Sequence, residues 1–176
     1  MQQHIFHPFP TIRTERLELR ALIIEDEKEI FFFRSDPGIL EHLDMTPAKT
    51  IEEAREFIQK IEKVVRNGDS IYWAINQINR PGLIGTICLW NISVENNSAE
   101  IGYVLHPDFQ GKGFINEAVK GVIDYGFKTM KLDLIQADLS PDNVKSIRVL
   151  EKNNFKKINT KQESKTVQYR LGKSEG

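Results

Sequence analysis

Residues 100–119 read EIGYVLHPDFQGKGFINEAV, and this stretch decides the fold because a strand, a glycine turn and a helix follow one another in it. The alternating segment 99–105 predicts a β-strand, and the helix after the glycines ends at about Thr129. A further strand at about 132–139 completes a βαβ unit. Such a crossover makes its two strands parallel, so the sequence predicts one parallel pair in the sheet.

The strands around this unit are predicted to be antiparallel. Three of them are linked by short turns, at 70–78, 83–94 and 99–105, which is typical of a meander. Alternation over 16–22 predicts an earlier strand, and the tail from 155 to 171 predicts two more with a turn near Gln162–Lys165. The predicted order is β-α-α-β-β-β-α-β-α-β-β, an α/β (α+β) fold with a mixed sheet.

Two helices are predicted between the first strand and the meander. The stretch EDEKEIFFFRSD is helical until Pro37-Gly38, where we expect it to stop. The second helix begins at Thr50, with Glu53 three residues later in a capping-box pattern, and ends at Asn67-Gly68.

The composition fits one soluble globular domain. The chain has 176 residues, a net charge of −1 and a mean hydropathy of −0.40. We therefore expect residues 1–176 to form a single domain with its core at about 12–171, and we expect neither nucleic acid nor a membrane as a partner. Cys88 is the only cysteine, which excludes an intramolecular disulfide, and no zinc-ligand spacing is present, so we expect no metal. The first residues do not resemble a secretory signal, so the expected location is cytoplasmic.

The hexapeptide Gln110–Ile115 is the sharpest local signal. Glycines between a strand and a helix let backbone N–H groups approach an anion, and the first helical turn has unbonded donors that suit a phosphate. The alternative is a glycine turn that only begins a helix. The sequence does not match two known phosphate-binding motifs. The Rossmann pattern requires a glycine where this chain has Asn116, and the Walker A pattern requires a glycine where it has His106.

Three segments together resemble the GNAT N-acetyltransferases over about residues 12–171. Their motif Gln/Arg-x-x-Gly-x-Gly/Ala is matched by Gln110, Gly113 and, less closely, Ile115. The segments TERLELRAL (14–22) and SPDNVKSIRVLEKNNF (140–155) resemble the branch of ribosomal-protein N-terminal acetyltransferases in particular. The resemblance implies a single-domain GNAT-like fold with flanking helices, in which the parallel strands splay apart.

Two residues depart from the family pattern. Ile115 stands where glycine or alanine is usual, which keeps the backbone N–H but leaves less space beside it. Asn154 stands where glycine usually precedes Phe155, and asparagine tolerates the left-handed conformation that this helix end requires.

The resemblance also implies acetyl-CoA as a co-substrate and names the residues that would bind it. The pantetheine arm would pair with the backbone of Tyr103, Val104 and Leu105. The pyrophosphate would lie on the segment made of Gln110, Gly111, Lys112, Gly113, Phe114 and Ile115. The Lys112 side chain either adds charge there or is simply solvated, and Asn143 either contacts the cofactor or is a plain N-cap.

The catalytic residues are less well defined than the cofactor site. Glu100 and Asp138 are the candidate bases, and each has the alternative of an ordinary exposed strand carboxylate. Leu150 stands where some relatives have a tyrosine that protonates the thiolate, so Ser146 is the nearest hydroxyl for that role, unless it is only a serine at the helix start. Tyr103 and Tyr169 are weaker candidates, and the two tryptophans are expected in the core or the cleft wall.

The expected reaction is direct transfer of acetyl to a primary amine. An α-amine with a pKa of about 8 loses its proton more easily than a lysine at about 10.4, which suits a carboxylate base and favours a peptide or protein N-terminus. A small amine such as a polyamine or aminoglycoside and a non-catalytic acyl-CoA sensor are the alternatives. Acceptor specificity is expected from 36–70 and the turn near 162–165. The sequence leaves the acceptor open, and it also leaves open whether the chain is a homodimer.

Overall fold

The elements of the computed structural model, which describes residues 6–158 and 165–173, follow the predicted order closely. Its strands are β1 (Ile12–Arg13), β2 (Leu17–Ala21), β3 (Ile71–Gln77), β4 (Leu83–Ser93), β5 (Ser98–Leu105), β6 (Leu134–Leu139), β7 (Lys156–Ile158) and β8 (Val167–Gly172). Its helices are α1 (Glu27–Ser35), α2 (Pro37–Leu40), α3 (Ile51–Arg66), α4 (Phe114–Lys128) and α5 (Val144–Lys152). Short 3₁₀ turns occupy Ile24–Asp26 and Pro107–Phe109.

The strands form one mixed sheet in the order β1-β2-β3-β4-β5-β6-β8-β7. Among the described strands, β5 and β6 are the parallel pair and the other neighbours are antiparallel. The single α+β fold with one parallel pair and flanking helices is therefore confirmed.

Helices cover both faces of the sheet because apolar side chains alternate along its central strands. The larger cluster joins α4 and α5 to the strands through residues such as Leu19, Trp73, Val122 and Leu150. The smaller cluster packs α1 and α3 on the opposite face, through residues such as Ile30, Phe33, Ala54 and Ile58. Burial of each large side chain contributes about 1.5–3 kcal/mol, which fixes both helix layers on the sheet.

Pro37 begins a helix instead of only ending one. The predicted stop after α1 is correct, but Pro37 is then the first residue of the single-turn helix α2. The Asp36 carboxylate accepts a hydrogen bond from the Ile39 N–H at 2.9 Å and caps this turn. Proline suits the first helical position since its missing N–H would have no helical partner there.

The predicted capping box on α3 is half formed. Thr50 accepts from the Glu53 N–H at 3.3 Å as expected. The Glu53 carboxylate, however, accepts from the Lys49 N–H at 2.6 Å, one residue before the predicted partner. Asn154 has a φ of +66°, so the predicted left-handed position after α5 is confirmed. The turn predicted near Gln162–Lys165 lies mostly outside the described residues.

Two features are absent from the described residues. No helix there is long and apolar enough to cross a membrane. In the same part of the chain, no group of three or more His, Cys, Asp or Glu side chains is arranged to hold a metal ion.

Candidate active site

Strands β5 and β6 separate after a very short parallel contact. They pair only from Ser98 with Leu134 to Glu100 with Gln136. Beyond these pairs β5 stays bonded to β4 as far as Leu105, while β6 stays bonded to β8 as far as Leu139. The sheet therefore opens into a gap between Ile101–Leu105 and the end of β6, as the resemblance implies.

The backbone of Tyr103 and Leu105 faces this gap. The His106 N–H donates to the Ile84 carbonyl at 2.8 Å on the β4 side, and backbone groups alternate between the two edges of a strand. The Leu105 carbonyl accepts from Gln110 Nε2 at 3.1 Å, which agrees with its position in the gap. Val104 directs its backbone towards β4, and its side chain packs against the smaller apolar cluster.

The loop before α4 offers a run of unbonded N–H groups. The first backbone bond of the helix runs from the Glu117 N–H to the Gly113 carbonyl at 3.1 Å. Within the described residues, none of the N–H groups of residues 111–116 has an acceptor. Gly111 and Gly113 have φ values of +74° and +80°, and a Cβ at Gly111 would meet nothing within 4 Å. These donors at a helix N-terminus fit a pyrophosphate.

Thr14, Arg16 and Glu117 form a network of hydrogen bonds, called here the Glu117 network, that holds the loop before α4. The Glu117 carboxylate accepts from the Thr14 hydroxyl, from the Arg16 N–H at 2.8 Å and from Arg16 Nε at 2.7 Å. Arg16 Nη1 also donates to the Lys112 carbonyl at 2.9 Å, and its guanidinium lies 4.5 Å from the centre of the Phe114 ring. The segment TERLELRAL thus contacts the cofactor loop, a role that sequence reasoning missed although it singled out the segment.

The Glu117 network also determines the ionisation of its carboxyl. Burial alone would raise the pKa of Glu117. Hydrogen bonds from the Thr14 hydroxyl and from the backbone and side chain of Arg16 outweigh burial and hold this pKa below its ordinary value. The carboxylate is therefore charged at neutral pH.

The polar side chains at the mouth of the gap are already hydrogen-bonded within the protein. Lys112 Nζ donates to the Asp108 carbonyl at 2.7 Å, and Lys145 Nζ donates to Gln110 Oε1 at 3.2 Å. Asn143 caps α5 by accepting from the Ser146 N–H at 3.2 Å, so it has the N-cap role that was its alternative. An N-cap contact uses Oδ1 and leaves the amide nitrogen of Asn143 for other partners.

Glu100 lies at the point where the two strands separate. Its side chain is buried, with 8% of the residue exposed, and accepts from Asn91 Nδ2 at 2.7 Å. The alternative of an ordinary exposed carboxylate is therefore wrong for Glu100, because Asn91 and the sheet shield it. Asp138 is exposed. Both residues lie on the face that carries Gly102 and Val104.

The hydroxyl candidates differ sharply in their surroundings. The Tyr103 hydroxyl donates to the Ser146 carbonyl at 3.1 Å, and burial raises the pKa of this phenol. Tyr169 is buried and donates to Glu151 Oε1 at 3.1 Å, and burial likewise raises its pKa. Leu150 is part of the core. Ser146 is the third residue of α5, the predicted helix-start position.

The sheet face beside Glu100 carries further large side chains. Trp90 is 48% exposed there, whereas Trp73 is fully buried on the other face and donates from Nε1 to the Pro10 carbonyl at 2.8 Å. Cys88 pairs with Gly102 across β4 and β5, and burial raises the pKa of its thiol to about 12. The thiol is therefore neutral at physiological pH.

Comparisons with known proteins agree with this geometry. The model of the acetyltransferase (GNAT) domain matches residues 16–156. The "uncharacterized N-acetyltransferase p20" of Bacillus licheniformis is 37% identical over 147 residues, which cover 84% of this chain and 83% of the relative.

Solved structures show the same fold at lower identity. The RimL ribosomal L7/L12 alpha-N-protein acetyltransferase in complex with coenzyme A has a TM-score of 0.81 at 21% identity, covering 93% of this chain and 98% of that one. A spermidine N-acetyltransferase from Vibrio cholerae, in complex with CoA and spermine, also has a TM-score of 0.81, at 22% identity over 92% and 98% of the two chains. At these identities the likeness concerns the fold alone. With the family match spanning most of its length, this chain belongs to the GNAT family and is an N-acetyltransferase.

Proposed function

We propose that this N-acetyltransferase uses acetyl-CoA as its co-substrate and transfers acetyl directly to the N-terminal amine of a peptide or protein. One observation carries the cofactor assignment: the unpaired edge of β5 leads directly into the loop with unbonded N–H groups at 111–116. The two surfaces match the two parts of coenzyme A, an amide-containing arm and a pyrophosphate.

The residues proposed to bind the cofactor act mainly through their backbone. Tyr103 and Leu105 would hydrogen-bond the pantetheine amides as an added strand does. Gln110 through Ile115 would bind the pyrophosphate, with Asn143 at the side of the gap. When bound, acetyl-CoA supplies a thioester whose carbonyl carbon is open to attack by an amine. The Leu105 N–H faces the gap and is available as a donor to the thioester oxygen.

Glu100 is the proposed base. It takes the proton from the acceptor ammonium, directly or through a water, so that the nitrogen lone pair becomes free. At pH 7 this deprotonation costs roughly 1 kcal/mol for an α-amine and 4–5 kcal/mol for a lysine. The Ser146 hydroxyl is proposed to give a proton to the departing sulfur, because Leu150 leaves no phenol at the position that some relatives use. The serine regains a proton from the attacking nitrogen, which loses one as the amide forms.

Small-amine acetylation is the second candidate. A spermidine N(1)-acetyltransferase from Vibrio cholerae is 26% identical over 140 residues, and this similarity favours a polyamine as the alternative acceptor. A polyamine or an aminoglycoside carries several positive charges, so carboxylates would be expected around its site. A non-catalytic acyl-CoA sensor of the same fold would bind the cofactor without turnover.

The test measures thiol release from acetyl-CoA with peptides, spermidine and an aminoglycoside as separate acceptors. We expect the peptide to react fastest, and mass spectrometry of a peptide with one internal lysine to show the acetyl group on its α-amine. Predominant lysine modification at neutral pH would contradict the proposed acceptor. Cofactor binding without thiol release from any amine would favour the sensor.

A further inference from the structure

Arg34, near the end of α1, is a partly buried arginine that lies on an aromatic ring. Its guanidinium carbon lies 4.3 Å from the centre of the Phe57 ring, and its Nε is shielded from solvent without an acceptor. Over residues 6–158 and 165–173, we find no hydrogen bond or ion pair of this guanidinium. Nε is one of the five donors of a guanidinium, and burying even one donor without an acceptor is unfavourable. The arrangement suits a hydrogen-bond acceptor that belongs to another molecule.

Two carboxylates near Arg34 in the sequence are engaged elsewhere. Asp26 forms a two-bond ion pair with Arg20, at 2.8 and 2.7 Å. Asp36 caps α2 through its contact with a backbone N–H. The fold therefore neutralises Arg20, on the sheet face that α1 covers, but leaves Arg34 without an ionic partner among the described residues.

Arg34 lies on the face of the sheet that carries the proposed base. The Phe57 ring beneath the guanidinium packs edge-on against Tyr72 of β3, with ring centres 5.9 Å apart. Tyr72 pairs with Cys88 on β4, and Cys88 pairs with Gly102 on β5, two residues after Glu100. Two strand spacings, together about 10 Å, separate Tyr72 from the gap.

We propose that Arg34 binds a carboxylate of the acceptor, so that the enzyme selects amines carrying negative charge and disfavours polyamines. This inference rests on the proposed transfer of acetyl at the gap beside Glu100. About 10 Å corresponds to roughly three residues of extended peptide, which brings an acceptor peptide from the gap to Tyr72. An acidic side chain at the third position would extend from there towards the guanidinium, which lies on the Phe57 ring beside Tyr72. Arginine forms paired charge-assisted bonds with a carboxylate, whereas it repels a polyamine cation.

The first test compares two peptides that differ only in charge. The pair is a tetrapeptide with glutamate at its third position and its twin with glutamine there. For the unmodified enzyme we expect kcat/KM to favour the acidic peptide by about tenfold to a hundredfold, mainly through KM. In Arg34→Gln this ratio falls to about one. The control Arg66→Gln removes an equal charge from an exposed arginine that pairs with Glu62 at 2.7 Å, and it keeps the ratio.

A second pair separates this inference from the proposed peptide acceptor. It consists of 6-aminohexanoate and its uncharged amide, which carry the same amine without a peptide. If no peptide reacts but aminohexanoate is preferred through Arg34, the peptide proposal fails and the role of Arg34 stands. Calorimetry in the presence of CoA measures the affinity of the enzyme for each member of both pairs. The affinity of each variant for CoA alone shows whether that variant is folded.

Two outcomes overturn the inference. The first is equal affinity and equal rate for both members of each pair in the unmodified enzyme, which includes the case in which neither member binds. The second is a loss in Arg34→Gln that is the same for charged and uncharged members, which would assign Arg34 a structural role against Phe57.

Discussion

Replacing Glu117 with glutamine tests whether the Glu117 network supports the cofactor loop. The carboxylate accepts three hydrogen bonds, and bonds to a charged group contribute about 1.5–3 kcal/mol each. A glutamine amide retains its oxygen for Thr14 and the Arg16 N–H but directs an NH₂ group at Arg16 Nε. Since the Arg16 side chain is 43% exposed, we discount the lost ion pair and expect destabilisation of about 1–2 kcal/mol.

The assay is urea unfolding at several pH values, together with CoA binding by calorimetry. The network holds the pKa of Glu117 below its ordinary value, so its charge stabilises the fold above about pH 4.3 and this contribution is lost as the pH falls through the lowered pKa. The difference between wild type and Glu117→Gln should therefore shrink below pH 4. Because Arg16 also bonds the Lys112 carbonyl, we expect CoA affinity at pH 7 to fall roughly fivefold, equivalent to about 1 kcal/mol.

The matched control is Asp124→Asn on the exposed side of the same helix. Its carboxylate pairs with Lys128 at 3.0 Å, and such a surface pair contributes about 0.5 kcal/mol or less. The reasoning is refuted if Glu117→Gln behaves like this control. It is also refuted if the stability difference is the same at pH 7 and at about pH 3, since the charge would then have no part in it.

Three other substitutions test the gap itself. Glu100→Gln should lower kcat/KM by about 10²–10⁴ at pH 7 and by less at high pH, where the amine is already neutral; a wild-type rate in steady-state kinetics would remove Glu100 from the mechanism. Gly113→Glu should abolish CoA binding in calorimetry, because its φ is +80° and its Cβ would lie 3.3 Å from Arg16 Nη2; unchanged affinity would place the cofactor elsewhere. Tyr103→Phe loses one hydrogen bond and should reduce the free energy of unfolding by about 0.5–1.5 kcal/mol, and no change in a urea titration would show that the bond is dispensable.

Features set by neighbouring residues could be predicted from the sequence. Alternation over 16–22 predicts a strand with Leu17 and Leu19 on one side, and both are fully buried in the structure. The side-chain chemistry of Thr50 and Asn143 predicted two helix caps, and Asn154 takes the left-handed conformation for which asparagine is suited. Each of these outcomes depends on contacts within a few positions of the chain.

Features set by distant contacts could not be predicted in this way. The Thr14 hydroxyl meets Glu117 across 103 positions, and no local pattern encodes that meeting. The burial of Glu100 depends on how early β6 departs, which is a property of the assembled sheet. Arg34 lies in helix α1, and the lack of an ionic partner for it among the described residues becomes visible only when its neighbours are placed.

The short contact between β5 and β6 has a consequence for how the molecule opens. Three residue pairs join the five strands β1–β5 to the three strands β6–β8, so backbone amides at this junction have few hydrogen bonds to break before they exchange with solvent. A cofactor lying along β5 would add hydrogen-bond donors and acceptors at the unpaired edge of this strand. Because it would bind only the sheet in which β5 and β6 are paired, it would stabilise that pairing. Occupancy would then strengthen the coupling between the two groups of strands, and we expect slower amide exchange at this junction in the holoenzyme than in the apoenzyme.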